Sequence, residues 1–194
     1  MFPSSEKTRA VLTAEAPEYS PSERELLLSL AHRSIEAAIE ERELELPLRS
    51  EHLAQCRGAF TTLHLHGRLR GCIGYVFPTS PLYRTVAETA RAAALDDPRF
   101  QPVTAEEVMA LKVEISVLSP LWLIAPEEIV IGKHGLVVTQ GSRRGLLLPQ
   151  VPVEWNWNAG TFLAQTCLKA GLAPDVWRYG AELQAFTAEV FGEE

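Results

Sequence analysis

Apolar and polar positions along this chain follow two rhythms, one helical and one extended, and the switches between them outline the fold. Leu27, Ala31, Ile35 and Ala38 recur at three- and four-residue spacing with Glu36, Glu40 and Glu41 opposite, the pattern of a helix with one buried stripe. Ser20-Pro21-Ser22-Glu23 opens it: serine at the N-cap, proline at the first helical position and glutamate at N3 make a capping box. The periodicity predicts a helix to about Leu46, stopped by Pro47. Residues 1–19 carry no sustained stripe and read as a mobile tail ahead of a single domain over 20–194.

From Gly58 to His66, and again from Leu69 to Val76, the period falls to two. This predicts two strands joined at Gly67-Arg68 by a type II′ turn, because glycine leads. In that register Cys72 opposes Leu63, and Cys72, Arg70, Leu63 and Leu65 share one face while His64 and His66 take the other. A Cys72–His64 dyad is then disfavoured unless a bulge at Gly71 re-aims one of them. Ser80-Pro81 starts a second helix, with Leu82, Val86, Ala90 and Ala93 inward, that ends at Asp96-Asp97-Pro98. Thr104 to Glu107 caps a short helix, and Lys112 to Leu118 alternates as a strand with Glu114 and Ser116 opposite the buried Val113, Ile115 and Val117.

Farther on, a polar turn at Glu127-Glu128 interrupts Trp122 to Ile131. Leu136–Thr139 and Leu146–Leu148 form a hairpin around Gly141–Gly145, and Pro149 to Pro152 breaks the pattern. A helix from about Ala159 to Ala170 stops at Gly171, and Ala181 to Phe191 alternates weakly as an edge strand. Hairpins interspersed with helices, without repeating β-α-β units, predict an α+β protein: a mainly antiparallel sheet flanked by helices, with a smaller second lobe.

Composition narrows the chemistry. The length of 194 residues suits one large domain or two small lobes, and a hydrophobic share of 46% supports an ordinary core. No apolar run approaches the roughly 18 residues of a membrane span, and Met1 to Lys7 lacks the apolar stretch of a secretory signal. Cys56, Cys72 and Cys167 are scattered and odd in number, so free thiols and a cytoplasmic location are expected. A net charge of −7 argues against a general nucleic-acid binder, although Arg57, Arg68 and Arg70 keep a specific small anion in play.

Candidate chemistry centres on Leu69-Arg70-Gly71-Cys72-Ile73-Gly74. Glycines in a strand mark a bulge or a close backbone approach, and a cation near a thiol favours its reactive form. Cys72 reads as a nucleophile or as a small buried hydrophobe. Arg70 reads as a bidentate anion anchor or as an edge charge that blocks aggregation. Asp97-Pro98-Arg99-Phe100 reads as a structural ion pair under a helix end or as a ligand contact. Glu114 is a partly buried carboxylate if its face is covered and a solvated residue if it is not. His64 and His66 have strand spacing for a metal without an acidic third ligand, so no metal is expected. Trp155 and Trp157 suggest a stacking surface or a lid over a small core. Gly141 to Gly145 lacks the end of a phosphate loop, and no dinucleotide, G-x-S-x-G or H-E-x-x-H fingerprint occurs, so no cofactor is expected.

Taken in order, the Leu69–Gly74 segment, Asp97–Phe100, Glu114–Leu118, Gly132–Leu136, Leu146–Val151 and Lys169–Leu172 resemble the AMMECR-one domain family, over nearly the whole chain from Ser20 to Phe191. Members include protein A of the AmmeMemoRadiSam system. The resemblance implies two unequal α+β lobes with the Leu69–Gly74 segment near a cleft at their junction, and work alongside a Memo-like protein and a radical SAM protein. It carries over no catalytic residues. The reading of the residues makes Cys72, Glu114 and Asp97 catalytic candidates, and Arg70, Gly71, Gly74, Arg99 and Gln150 candidate contacts for a small anionic ligand. An enzyme or substrate-holding component is one reading, an adaptor for those partners is another, and nucleic-acid or modified-nucleoside recognition is a weaker third.

Overall fold

The computed structural model describes residues 17–46, 50–77 and 79–193. Residues 1–16 of the expected tail, and Pro47 at the expected helix stop, lie outside them. Helix α1 (Pro21–Ile39) begins with the capping box read from the sequence, Ser20 and Glu23 each bonding the other's backbone N–H. It ends seven residues earlier than the periodicity suggests. Glu41 adopts a left-handed φ of 54°, while Arg42 N–H and Glu41 N–H return to the carbonyls of Ala37 and Ala38. That closure is a Schellman turn made without the usual glycine, and Glu40-Glu41 at the negative helix end further disfavours continuation.

Strands β1 (Ala59–Leu65), β2 (Arg68–Tyr75) and β3 (Leu111–Leu118) join the C-terminal β8 (Ala188–Gly192) in an antiparallel sheet ordered β2-β1-β3-β8. Helices α1 and α2 (Leu82–Leu95) cover one face. Ala59, Leu63, Val113 and Ile115 meet Leu27, Ile35, Val86 and Ala90 there in the larger core. Tyr19, just before α1, is also in this core, 1% exposed and stacked on His52.

The second sheet is ordered β4-β7-β5-β6, built from β4 (Trp122–Leu123), β5 (Gly135–Gln140), β6 (Arg143–Leu147) and β7 (Glu182–Phe186). Helix α5 (Ala159–Lys169) packs on it around Phe162, Leu163 and Cys167. Between the lobes' cores, Leu118, Val137 and Phe186 gather with Phe60, Leu146 and Leu148. The architecture is the α+β fold expected, with two unequal lobes. The weakly alternating C-terminal stretch is two strands instead of one: β7 lies inside the second sheet, and the chain crosses at Thr187 to pair β8 with β3. Among the described residues no helix is long and apolar enough to cross a membrane.

The sheet's covered face is set by one glycine. A Cβ at Gly71 would be driven into the carbonyl oxygen of Ala93 in α2. Gly71→Ala is therefore expected to destabilise the protein by about 2–3 kcal/mol, the upper part of overpacking costs. Urea unfolding checks this, and a loss below about 0.5 kcal/mol, the scale of ordinary surface changes, would contradict the contact.

Candidate functional site

The hairpin register differs from the sequence reading, and the thiol moves with it. The turn is His66-Gly67, with φ of 51° and 75°, a type I′ geometry in which Leu65 faces Arg68. His66 is thus a turn residue and does not share a strand face with His64. The pairing then slips: His64 opposes Leu69 but Leu63 opposes Gly71, leaving Arg70 as the extra residue of a bulge. Cys72 opposes Thr62 instead of Leu63, and the Thr62 hydroxyl donates to its sulfur at 3.3 Å. The sulfur therefore lies on the face that the helices leave uncovered, the face of Phe60, Thr62 and His64.

Arg70 points away from that face. Its Nε and Nη2 grip Glu107 at 3.0 and 2.9 Å, while Nη1 and Nη2 donate to the carbonyls of Gln101 and Pro102. Glu107 also caps α3 (Ala105–Val108) by accepting from Thr104 N–H, and the Arg70 guanidinium holds its carboxyl below the usual range. All three guanidinium nitrogens of Arg70 donate inside the protein, so the anion anchor expected from the sequence is instead a fastener between the bulge and the loop after α2.

Asp97 and Arg99 clamp the outer edge of β2. The buried Asp97 carboxylate accepts Cys72 N–H at 2.8 Å and Arg99 N–H at 3.1 Å, and takes Arg99 Nε and Nη2 at 2.9 and 2.7 Å. Arg99 Nη2 also donates to Cys72 C=O at 3.2 Å. The Arg99 hydrogen bonds, helped by the backbone donors and opposed by desolvation, hold the Asp97 carboxyl far below the usual carboxylate range. Asp97 is a fixed charge, unsuited to proton transfer near neutrality, and the expected acid-base role falls to this geometry.

Glu114 lies on the sulfur's face. It opposes Thr62 on one side and Gly192 on the other, placing Cys72, Thr62 and Glu114 in one row across three strands. Two inter-strand spacings separate the outer members by roughly 10 Å, too far for a direct thiol–carboxylate bond. Glu114 lines a cleft of about 360 Å³ with Ser116, Lys133, Gln150, Val153 and Glu154, between the first sheet and α4 (Val151–Glu154). Gly74 is beneath the Phe60 ring, which a Cβ there would strike, so it shapes the lobe junction.

Of the residues named from the sequence, the cleft brings together Glu114 and Gln150. Cys72 shares their face, while Arg70, Asp97 and Arg99 secure the sheet edge. His134 is structural, accepting Val130 N–H at Nδ1 and meeting Trp122 edge-on. Trp155 is exposed and stacks on Trp157, which packs against the smaller core. Thr62, Ser116, Lys133 and Glu154 were missed. Thr62 depends on both the His66-Gly67 turn and the bulge at Arg70, since the turn alone would set Cys72 against Thr61, and Lys133 and Glu154 reach the cleft from loop and helix segments with no shared period.

The sequence matches the AMMECR1 family model over residues 28–191. Protein TK0174 of Thermococcus kodakarensis is 44% identical over 184 residues, which is 88% of this chain and 90% of that one. A protein of Methanosarcina barkeri is 43% identical over 178 residues, covering 86% of this chain and 88% of its own length. Among solved structures, the uncharacterized protein PH0010 from Pyrococcus horikoshii shares the fold with a TM-score of 0.75 and 44% identity, covering 88% of this chain and 91% of that one.

The edge clamp has a pH signature. Because folding lowers the Asp97 pKa, its contribution is complete above the unfolded value of about 4 and is lost as pH falls toward the folded value. Asp97→Asn should cost about 2–3 kcal/mol at pH 7, in the range of hydrogen bonds to charged groups. The gap to the parent should narrow on acidification below about pH 4, the unfolded carboxylate range. Denaturant melts across pH check this, and a gap that stays constant with pH would contradict it.

Proposed function

The chain belongs to the AMMECR1 family, and on that premise we propose that it is the substrate-holding component of an enzyme system, with the inter-lobe cleft as its site. The observation that carries this reading is the bulge at Arg70, which turns Cys72 onto the same sheet face as Glu114 and the cleft. Glu114, Gln150 and Ser116 supply polar contacts. Cys72, about 10 Å away across two strand spacings, meets the far end of a small substrate as close contact or nucleophile. With Glu114 and Glu154 beside Lys133, the lining suits a polar or positively charged group better than the purely anionic ligand first expected. The family resemblance supports a Memo-like protein and a radical SAM protein as partners that act on what this protein holds.

Complementation of a deletion strain tests the site. Cys72→Ala and Glu114→Gln are each expected to reduce rescue at least tenfold while leaving the thermal midpoint within about 4 °C of the parent, the shift of roughly 1 kcal/mol or less. Full rescue by Cys72→Ala would remove the thiol from the mechanism, and full rescue by both variants would remove the cleft.

A further inference from the structure

The two edges of the first sheet are treated differently. On β2, Asp97 and Arg99 occupy the outward N–H and C=O of Cys72. On the opposite edge, β8 has a single strand neighbour among the described residues, β3. Ser119 N–H donates to Thr187 C=O and Glu193 N–H to Val113 C=O, which fixes the phase: Glu189 and Phe191 turn their backbone toward β3, and Ala188, Val190 and Gly192 turn theirs outward. Val190 is 51% exposed.

Each side of this edge, which no other described strand pairs, has its own depression. The even-numbered side chains border the cleft of Glu114 and Glu154. The odd-numbered ones border a groove of about 510 Å³ against α1, where Leu28, Pro21 and Phe191 are apolar, Glu25 stands on the lining, Arg24 pairs with Glu189 and His32 Nε2 hydrogen-bonds Glu193. A strand laid on β8 would send alternate side chains into these two depressions.

We propose that the β8 edge binds an extended peptide segment of a partner protein, with alternating basic and aliphatic side chains, as an added strand. The proposal rests on the cleft assigned above and names the class of its occupant. Basic side chains would meet Glu114 and Glu154, and aliphatic ones Leu28 and Phe191. Charge selects this occupant over a second copy, since the β8 strand of another chain, Ala188 to Gly192, carries no lysine or arginine to meet Glu114 and Glu154.

The test titrates the full chain with three end-blocked hexapeptides. One alternates valine with lysine, one alternates valine with glutamate, and one places all its valines before all its lysines. The alternating lysine peptide should bind at least tenfold more tightly than either other, and should slow hydrogen exchange at the Val190 and Gly192 amides without changing Phe191. Val190→Pro removes an outward donor without breaking a ladder bond, and should weaken binding at least tenfold, whereas Val190→Thr should retain it. If the proline variant melts early, the exchange pattern of the parent decides instead. Equal affinity for all three peptides would overturn the proposal. So would edge amides already protected in the free chain, whether by concentration-dependent self-pairing or at every concentration. Binding is read directly, so its failure alongside a Cys72→Ala complementation defect would sink this inference and leave the substrate-holding reading standing.

Discussion

The α-carbon of Gly71 rests against the Ala93 carbonyl of α2, and the placement of the thiol depends on that approach. With no side chain at this point the helix can lie directly on β2. Gly71 opposes Leu63 on the covered face, so its neighbour Cys72 must face the other way. Arg70, displaced from the pairing by the bulge, reaches Glu107 and two carbonyls and so ties the irregularity to the loop after α2. A slip of one residue would return the sulfur to the covered face.

The same short sequence also settles the sheet edges. Unpaired strand edges invite association, and the β2 edge is closed at Cys72 by a carboxylate that accepts its N–H and a guanidinium that donates to its C=O. Asp97 is kept charged by Arg99 and by two backbone donors, and so serves the fold instead of proton transfer. Charged residues that look catalytic from their company in the sequence are here the means of holding a thiol in position. The residues free to meet a ligand, Glu114 and Gln150, lie across the sheet in the cleft.

Much of the larger lobe was legible because local signals agreed with the tertiary structure. The Ser20–Glu23 and Thr104–Glu107 capping boxes, the alternation of Lys112–Leu118 and the glycine stop at Gly171 each rest on chemistry within a few residues. The hairpin register was not legible, because His66 in a left-handed conformation is not a turn signal as asparagine would be, and the bulge depends on α2, whose helix lies beyond the hairpin in the sequence. The α1 stop at Glu41 lacked its glycine. At the site, Glu114 was legible from alternation and Gln150 stood among the candidate contacts, but their meeting depends on how the second lobe folds back over the first sheet.

The register is the central claim, and a disulfide trap measures it. Cys72 directs its backbone N–H and C=O outward, so Thr62 and Cys72 form a non-hydrogen-bonded pair, the closer kind, with α-carbons about 4.5 Å apart. That spacing suits a cross-strand disulfide. In a background with Cys56→Ser and Cys167→Ala, mild oxidation should link Thr62→Cys to Cys72 within one chain and leave Leu63→Cys reduced. A bond from Leu63→Cys to Cys72, with Thr62→Cys unlinked, would restore the register of a Gly67-Arg68 turn and contradict the account.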